Sequence, residues 1–389
     1  MTVGDDNHRR RAPLSRTLLG VLSIGLVAAG CSSDAKKAAD TTPVTVGLAT
    51  VTTVELPKTT TSTKSTSTTS TISTSSTETA TTVAADPTYP LTGMPITDIV
   101  VAGRVAVVVK IDNHPDARPQ NGLNEADIVF EENVEHLTRF AMVFQSGDAD
   151  TVGPIRSGRT QDVNLLGSFN KPLFVWSGGN RRVTDAIVAS DLREISPTST
   201  NSPFFRTTNR AKPQNLYAKL ADLRARAPFE ASAPPQQFAY RAAGAAAKGE
   251  DIGAAKLSMD GVRVLWQWDN NSGTFLRFSD DKVHNDAIGN VQVNTNNVVV
   301  LYLDYVPSPA DRRSPEAQTT GTGEAWVFSA GKLVKGTWTR NDRLATFRLV
   351  GTDGTPMLLT PGRTFVELAR AGAAASVPAG TDPASIRYP

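Results

Sequence analysis

The chain has one cysteine, Cys31, and four histidines in 389 residues. A lone cysteine excludes an internal disulfide and the thiolate sets of structural zinc sites. Neither a paired-His zinc motif nor a D-x-D-x-D-G calcium loop occurs, so no resident metal and no cofactor is expected. Aromatics are sparse at 6%, and Lys+Arg 40 against Asp+Glu 38 leaves a net charge of only +2. With no basic stripe carrying interleaved aromatics, nucleic acid is not an expected partner. The apolar run at 17–27 is too short for a permanent membrane span.

What is there begins with that run. Arg9, Arg10, Arg11 and Arg16 precede it, and Ala28, Ala29 and Gly30 stand directly before Cys31. This order is secretory-signal anatomy. Small residues ahead of a lone cysteine resemble a bacterial lipobox, in which the thiol is diacylglycerylated and the chain is cut before it. Ala28 stands where Leu or Val is commoner; the alternative is a simple signal cut nearby, leaving a free thiol. The lipobox reading makes 1–31 a lipoprotein signal with Cys31 the lipidation site. The protein is then exported and held on the outer face of the cell membrane by its N-terminal lipid, each buried CH₂ contributing about 0.8 kcal/mol. Residues 32–87, typified by "KTTTSTKSTSTTSTISTSSTETATT", have little to bury and read as a disordered tether. Roughly 55 flexible residues reach about 40 Å.

Beyond the tether the pattern predicts a mixed α/β domain over 88–235, a linker over 236–254, an antiparallel β-rich domain over 255–370 and a loose tail over 371–389. In the first, 105–111 is a continuous apolar strand, and "ADIVFEENVE" with "TRFAMVFQS" predicts a hairpin. Leu216, Leu220 and Leu223 at i, i+4 and i+7 predict a helix in "NLYAKLADLRARA". In the second, "GVRVLWQWD" alternates with a period of two and is followed by further strands at short spacing.

The strings "YPLTGMP", "IDNHPDARPQNGLNEADIVFEENVEHLTRF", "VGPIRSGR" and "TPGRTFVEL" resemble the YerB-like bacterial lipoprotein family, over roughly 88–370. The resemblance implies a two-part lipoprotein and supplies no established activity or cofactor. Gln214 in "KPQNLY" departs from the histidine expected there, which puts in doubt any scheme needing a catalytic or metal-binding histidine at that place.

Three polar stretches fall where strands of an α/β sheet should end. "KIDNHPDARPQNGL" carries Asp112, Asn113, His114, Arg118 and Gln120; "GPIRSGR" carries Arg156, Ser157 and Arg159; "SGGNRR" carries Ser177, Gly178 and Arg181. Ligands of open α/β sheets gather at that edge, and helix starts and arginine pairs suit anions. Glu131 and Glu135, four apart on a strand, should face one side; whether Arg139 joins them depends on hairpin register. Two acids there could serve glycosidic-bond chemistry, although a structural ion-pair lattice is the commoner meaning of the pattern. Ser177 in "VWSGGN" lacks the G-x-S-x-G frame of an activated serine. Three readings follow: a cleft binding a polar or anionic envelope component such as a cell-wall polymer, a hydrolase or transferase acting on wall glycan, or a scaffold for an envelope protein. The enzyme reading is the weaker one, since no catalytic set assembles from the sequence.

Overall fold

The computed structural model describes residues 87–389. The signal, Cys31 and the tether up to residue 86 lie outside the described residues. Thirteen principal strands carry the architecture. In the N-terminal segment these are β1 (Val107–Asp112), β2 (Ile128–Val134), β3 (Leu137–Phe144), β4 (Leu173–Val175) and β5 (Arg193–Ile195). The C-terminal segment adds β6 (Glu250–Met259), β7 (Val262–Asp269), β8 (Thr274–Ser279), β9 (Asn297–Tyr302), β10 (Gly321–Ser329), β11 (Lys332–Arg340), β12 (Thr364–Ala369) and β13 (Ala374–Pro378).

One sheet runs through both segments in the order β8-β7-β6-β11-β10-β9-β12-β2-β3-β1-β4-β5. The join is β12, a C-terminal strand lying parallel between β9 and the N-terminal β2, with Glu131 opposite Glu367. The pleat sends alternate residues to two cores. Val107, Val109, Ile111, Phe140 and Met142 meet Trp266, Phe275 and Phe365 on one face; Val108, Phe130, Phe174 and Trp176 share the other with Leu301, Trp338 and Val366. Each core draws on both segments, so the described residues belong to one compact body.

Several expectations meet a different arrangement. In the N-terminal segment strands outnumber helices, and the helices are short, the longest being Arg181–Val188. The C-terminal segment is not wholly antiparallel, because β12 is parallel to both neighbours. The helix predicted around Leu216 forms only over Leu220–Arg224. Leu216–Lys219 instead pairs with Phe204–Arg206 and Thr151–Val152, so sheet pairing overrides the i, i+4, i+7 signal there. Within the stretch expected to link two units, Phe238 is buried and the Tyr240 hydroxyl donates to the Leu91 carbonyl at 2.6 Å. The Tyr240 ring covers Gly93, whose φ of +64° and lack of room for a Cβ (2.3 Å from Tyr240 Cγ) both require glycine. In the stretch expected loose after 371, β13 pairs with β6 and buries Val377.

Candidate functional site

β1 runs fully buried to the sheet edge and delivers Asp112 and Asn113 there. The Asp112 carboxylate accepts from Arg156 Nε at 2.9 Å, from the His114 N–H at 3.2 Å and from Gln214 Nε2 at 3.4 Å. Asn113 is completely buried: its amide donates to Thr138 Oγ1 (2.7 Å) and Glu131 Oε1 (3.2 Å) and accepts from Arg118 Nε (3.0 Å) and Gln120 Nε2 (3.3 Å). His114 Nδ1 accepts from the Asp116 N–H and caps the short turn Pro115–Ala117. The loop is therefore folded by its own polar groups. Gln120 is fully buried, while Arg118 lines a separate hollow of about 440 Å³ with Pro115, Pro119 and Asp280.

Gln120 leads into a buried network that crosses to the C-terminal segment. Its Oε1 lies 2.7 Å from His284 Nε2, and His284 Nδ1 accepts from Arg277 Nε at 3.0 Å. Arginine only donates, so the imidazole carries its proton on Nε2 and gives it to Gln120. Burial, with Arg277 and Arg118 nearby, pushes the His284 pKa well down and keeps the ring neutral. Arg277 Nη2 donates to Glu131 Oε2 at 2.7 Å, and the guanidinium lies 5.3–5.8 Å from the ring centroids of Trp266, Phe140 and Phe365. Burial, then the adjacent Glu131, push the Glu367 pKa well above the carboxylate range. A second latch is Asp286, whose Oδ2 accepts from the N–H groups of Gly122, Leu123 and Asn124; Gly122 holds φ at +105°.

The hairpin register separates residues the sequence had grouped. The turn is Glu135–His136, which sets Arg139 opposite Glu132 and Asp112. Glu131 faces Arg277, whereas Glu135 sits beyond the strand, where alternation ends, and meets Arg159. The two acids thus share no partner and form no catalytic pair. Glu132, passed over in the sequence, closes a fully buried triad: Lys110 Nζ is 2.5 Å from Glu132 and 2.9 Å from Asp162. A lysine within the apolar run 105–111 was the available signal for it.

Part of the expected cleft is assembled. The Ser177 N–H donates to the Arg156 carbonyl at 3.0 Å, and the Ser157 and Ser177 hydroxyls are 3.5 Å apart, so the two polar connections abut. Between them and a C-terminal loop lies a cavity of about 340 Å³ lined by Glu135, Ser157, Arg159, Ser177, Gly178, Gly179, Asn180, Val183, Ser308, Asp311 and Ser314. Arg159 holds Glu135 bidentately (3.0 and 2.6 Å) and donates to Ser314 Oγ at 3.1 Å. Burial alone would raise Glu135, but the hydrogen bonds and charge of Arg159 outweigh it and bring the pKa down to about 2. Arg139 supports the wall, donating to the Ser157 carbonyl at 2.9 Å; burial and the neighbouring Arg159 and Arg156 lower it to about 10. Gly178, at φ +100°, has open space around its absent Cβ, and neither its N–H nor that of Gly179 meets a protein acceptor among the described residues.

Arg181 does not take part: it is 94% exposed and turns to Asp185 at 3.8 Å. Ser308, Asp311 and Ser314 escaped the sequence reading because nothing local ties that loop to residues 130 positions earlier. Among the described residues no cluster of three His, Cys, Asp or Glu side chains is placed to hold a metal ion.

Comparison with known proteins gives a consistent picture of kinship. Residues 91–232 match the family described as "Protein of unknown function (DUF3048) N-terminal domain", and 255–366 match its C-terminal domain. The chain is 28% identical over 306 residues to the Bacillus subtilis (strain 168) protein named "Putative lipoprotein YerB", spanning 75% of this chain and 88% of that one. The crystal structure of YerB from Bacillus subtilis aligns with a TM-score of 0.64 at 24% identity, covering 75% of this chain and 99% of that one.

Proposed function

Since the chain belongs to the two-part DUF3048 family of unknown function, we propose that it is an exported lipoprotein, anchored through Cys31, whose folded body binds a hydroxyl-rich envelope component. The observation that carries this reading is the lining of the 340 Å³ cleft: the Ser157 and Ser177 hydroxyls, which meet only each other, and the Gly178 and Gly179 N–H groups, which meet no protein acceptor among the described residues, stand beside the fixed Glu135–Arg159 pair, with Ser308, Ser314 and Asn180 already hydrogen-bonded around them. Such a set offers donors and acceptors in comparable number, which suits a sugar or polyol more than a bare anion. Arg156 and Arg159 each already hold a carboxylate, so neither is free to clamp an anion alone.

Turnover of a glycan finds less support. The two carboxylates of the cleft, Glu135 and Asp311, are both held below the ordinary range, Glu135 by Arg159 against its burial and Asp311 by Arg313. A general acid for a leaving oxygen needs the opposite shift. Glu131 and Glu367, which are buried, have no access to the cleft's solvent.

The test is calorimetric titration of the full chain with a β-1,4-linked N-acetylglucosamine tetramer. Ser157→Ala and Ser177→Ala should each weaken binding by about two- to tenfold, as for a neutral hydrogen bond, without lowering the melting temperature. Undiminished binding in both variants contradicts the reading.

A further inference from the structure

The saccharide cleft does not stop at Glu135. Glu135 and Ser314 also line a second hollow, of about 270 Å³, on the far side of the Glu135–Arg159 pair. Its character is different. His136 at the hairpin apex, Arg312, Arg313 and Arg370 surround it, with Tyr305 beneath Arg370 at 4.4 Å from ring centroid to guanidinium carbon.

The acids nearby do not use up these cations. Arg370 spends Nε and Nη2 on Asp260 (2.7 and 2.9 Å), and Arg313 spends the same two groups on Asp311 (3.2 and 3.0 Å). In both, Nη1 has no protein acceptor among the described residues, and Arg312 has no carboxylate partner among them. Three guanidiniums that line one hollow thus retain donors, in the planar form that recognises phosphate oxygens in pairs. Arg312 is exposed and fills no core, whereas the exposed Arg313 also fixes Asp311.

We propose that the two hollows form one elongated groove for an anionic glycopolymer, a chain alternating polyol or sugar with phosphate. The hydroxylated unit lies among Ser157, Ser177 and Ser314, and the next phosphate is seated by Arg312, Arg313 and Arg370. The proposal rests on the saccharide reading of the first hollow and extends it by naming the charge of the substrate class. A phosphodiester chain presents one anion per repeat, so adjoining polar and cationic seats suit its alternation. Fixed charges in the groove also make binding sensitive to ionic strength, because an exposed seat is screened by salt.

The experiment compares two probes on the full chain by calorimetry: a synthetic hexamer of glycerol phosphate and the neutral N-acetylglucosamine tetramer. The variants are Arg312→Ala, which leaves the Arg313–Asp311 pair at the saccharide cleft intact, and Ser157→Ala/Ser177→Ala. The hexamer should bind more tightly, weaken with added salt, and lose about tenfold or more in affinity in the arginine variant, whose affinity for the tetramer stays unchanged. A hexamer that binds no more tightly than the tetramer, or an arginine variant that loses both equally, overturns the anionic seat and leaves the saccharide cleft standing. Hexamer binding that ignores the serine variant overturns the continuous groove, whereas tetramer binding that ignores it overturns the saccharide reading. Absence of binding by both probes overturns both.

Discussion

Replacing Arg277 with methionine should be among the most costly single changes in the folded body. The guanidinium is fully buried, 2.7 Å from Glu131, hydrogen-bonded to His284 and surrounded by three aromatic rings. Methionine fills the volume but leaves Glu131 buried with only Asn113 and Thr138 as donors. Leaving such a carboxylate unpaired costs about 3–5 kcal/mol. Glu131→Gln removes the partner instead, and there Glu367 can compensate. Its Oε1 lies 3.7 Å from Arg277 Nη1, and its pKa is raised by burial and by Glu131. Without the Glu131 charge it ionises more readily and pairs with Arg277. Glu131→Gln should therefore cost less than Arg277→Met, about 1–3 kcal/mol. The double variant holds no unpaired buried charge and should cost less than the sum by about 2 kcal/mol or more. Urea unfolding of the four proteins at neutral pH measures this. Costs that simply add would refute the account of a coupled charge network joining the two segments.

Two further outcomes follow from the same reasoning. Burial, then the Asp286 charge, raise Glu125 to about 7, so the folded state binds a proton that the unfolded chain has released. Stability from this group is present below about pH 4.5 and is lost as pH rises through about 7; Glu125→Gln should flatten that decline between urea midpoints at pH 5 and pH 8, and an unchanged slope would contradict it. Cys31→Ser should release the protein from the membrane fraction and abolish acyl labelling; persistence of both would remove the lipid anchor from the proposal.

The sequence was most informative where a local rule acts alone. The run at 105–111 is a buried strand, the "ENVEHL" hairpin has a tight turn, and the Ser177 and Arg156 connections do meet at one edge. It was least informative where partners are distant. A parallel strand such as β12 cannot be assigned a neighbour from its own residues, so the shared sheet read as two bodies joined by a linker. Arginines looked available because their carboxylates sit far away in sequence: Arg156 with Asp112, Arg159 with Glu135, Arg118 with Asp280. Glu131 and Glu135 read as a pair because strand alternation was carried one residue past the strand's end at Val134.

The most direct test of the binding groove is the structure of the full chain crystallised with the glycerol phosphate hexamer. The account predicts density running from Ser177 and Ser157 past Ser314 to Arg312 and Arg370. Density seated instead in the larger hollow beside Leu333 and Met357 would contradict it.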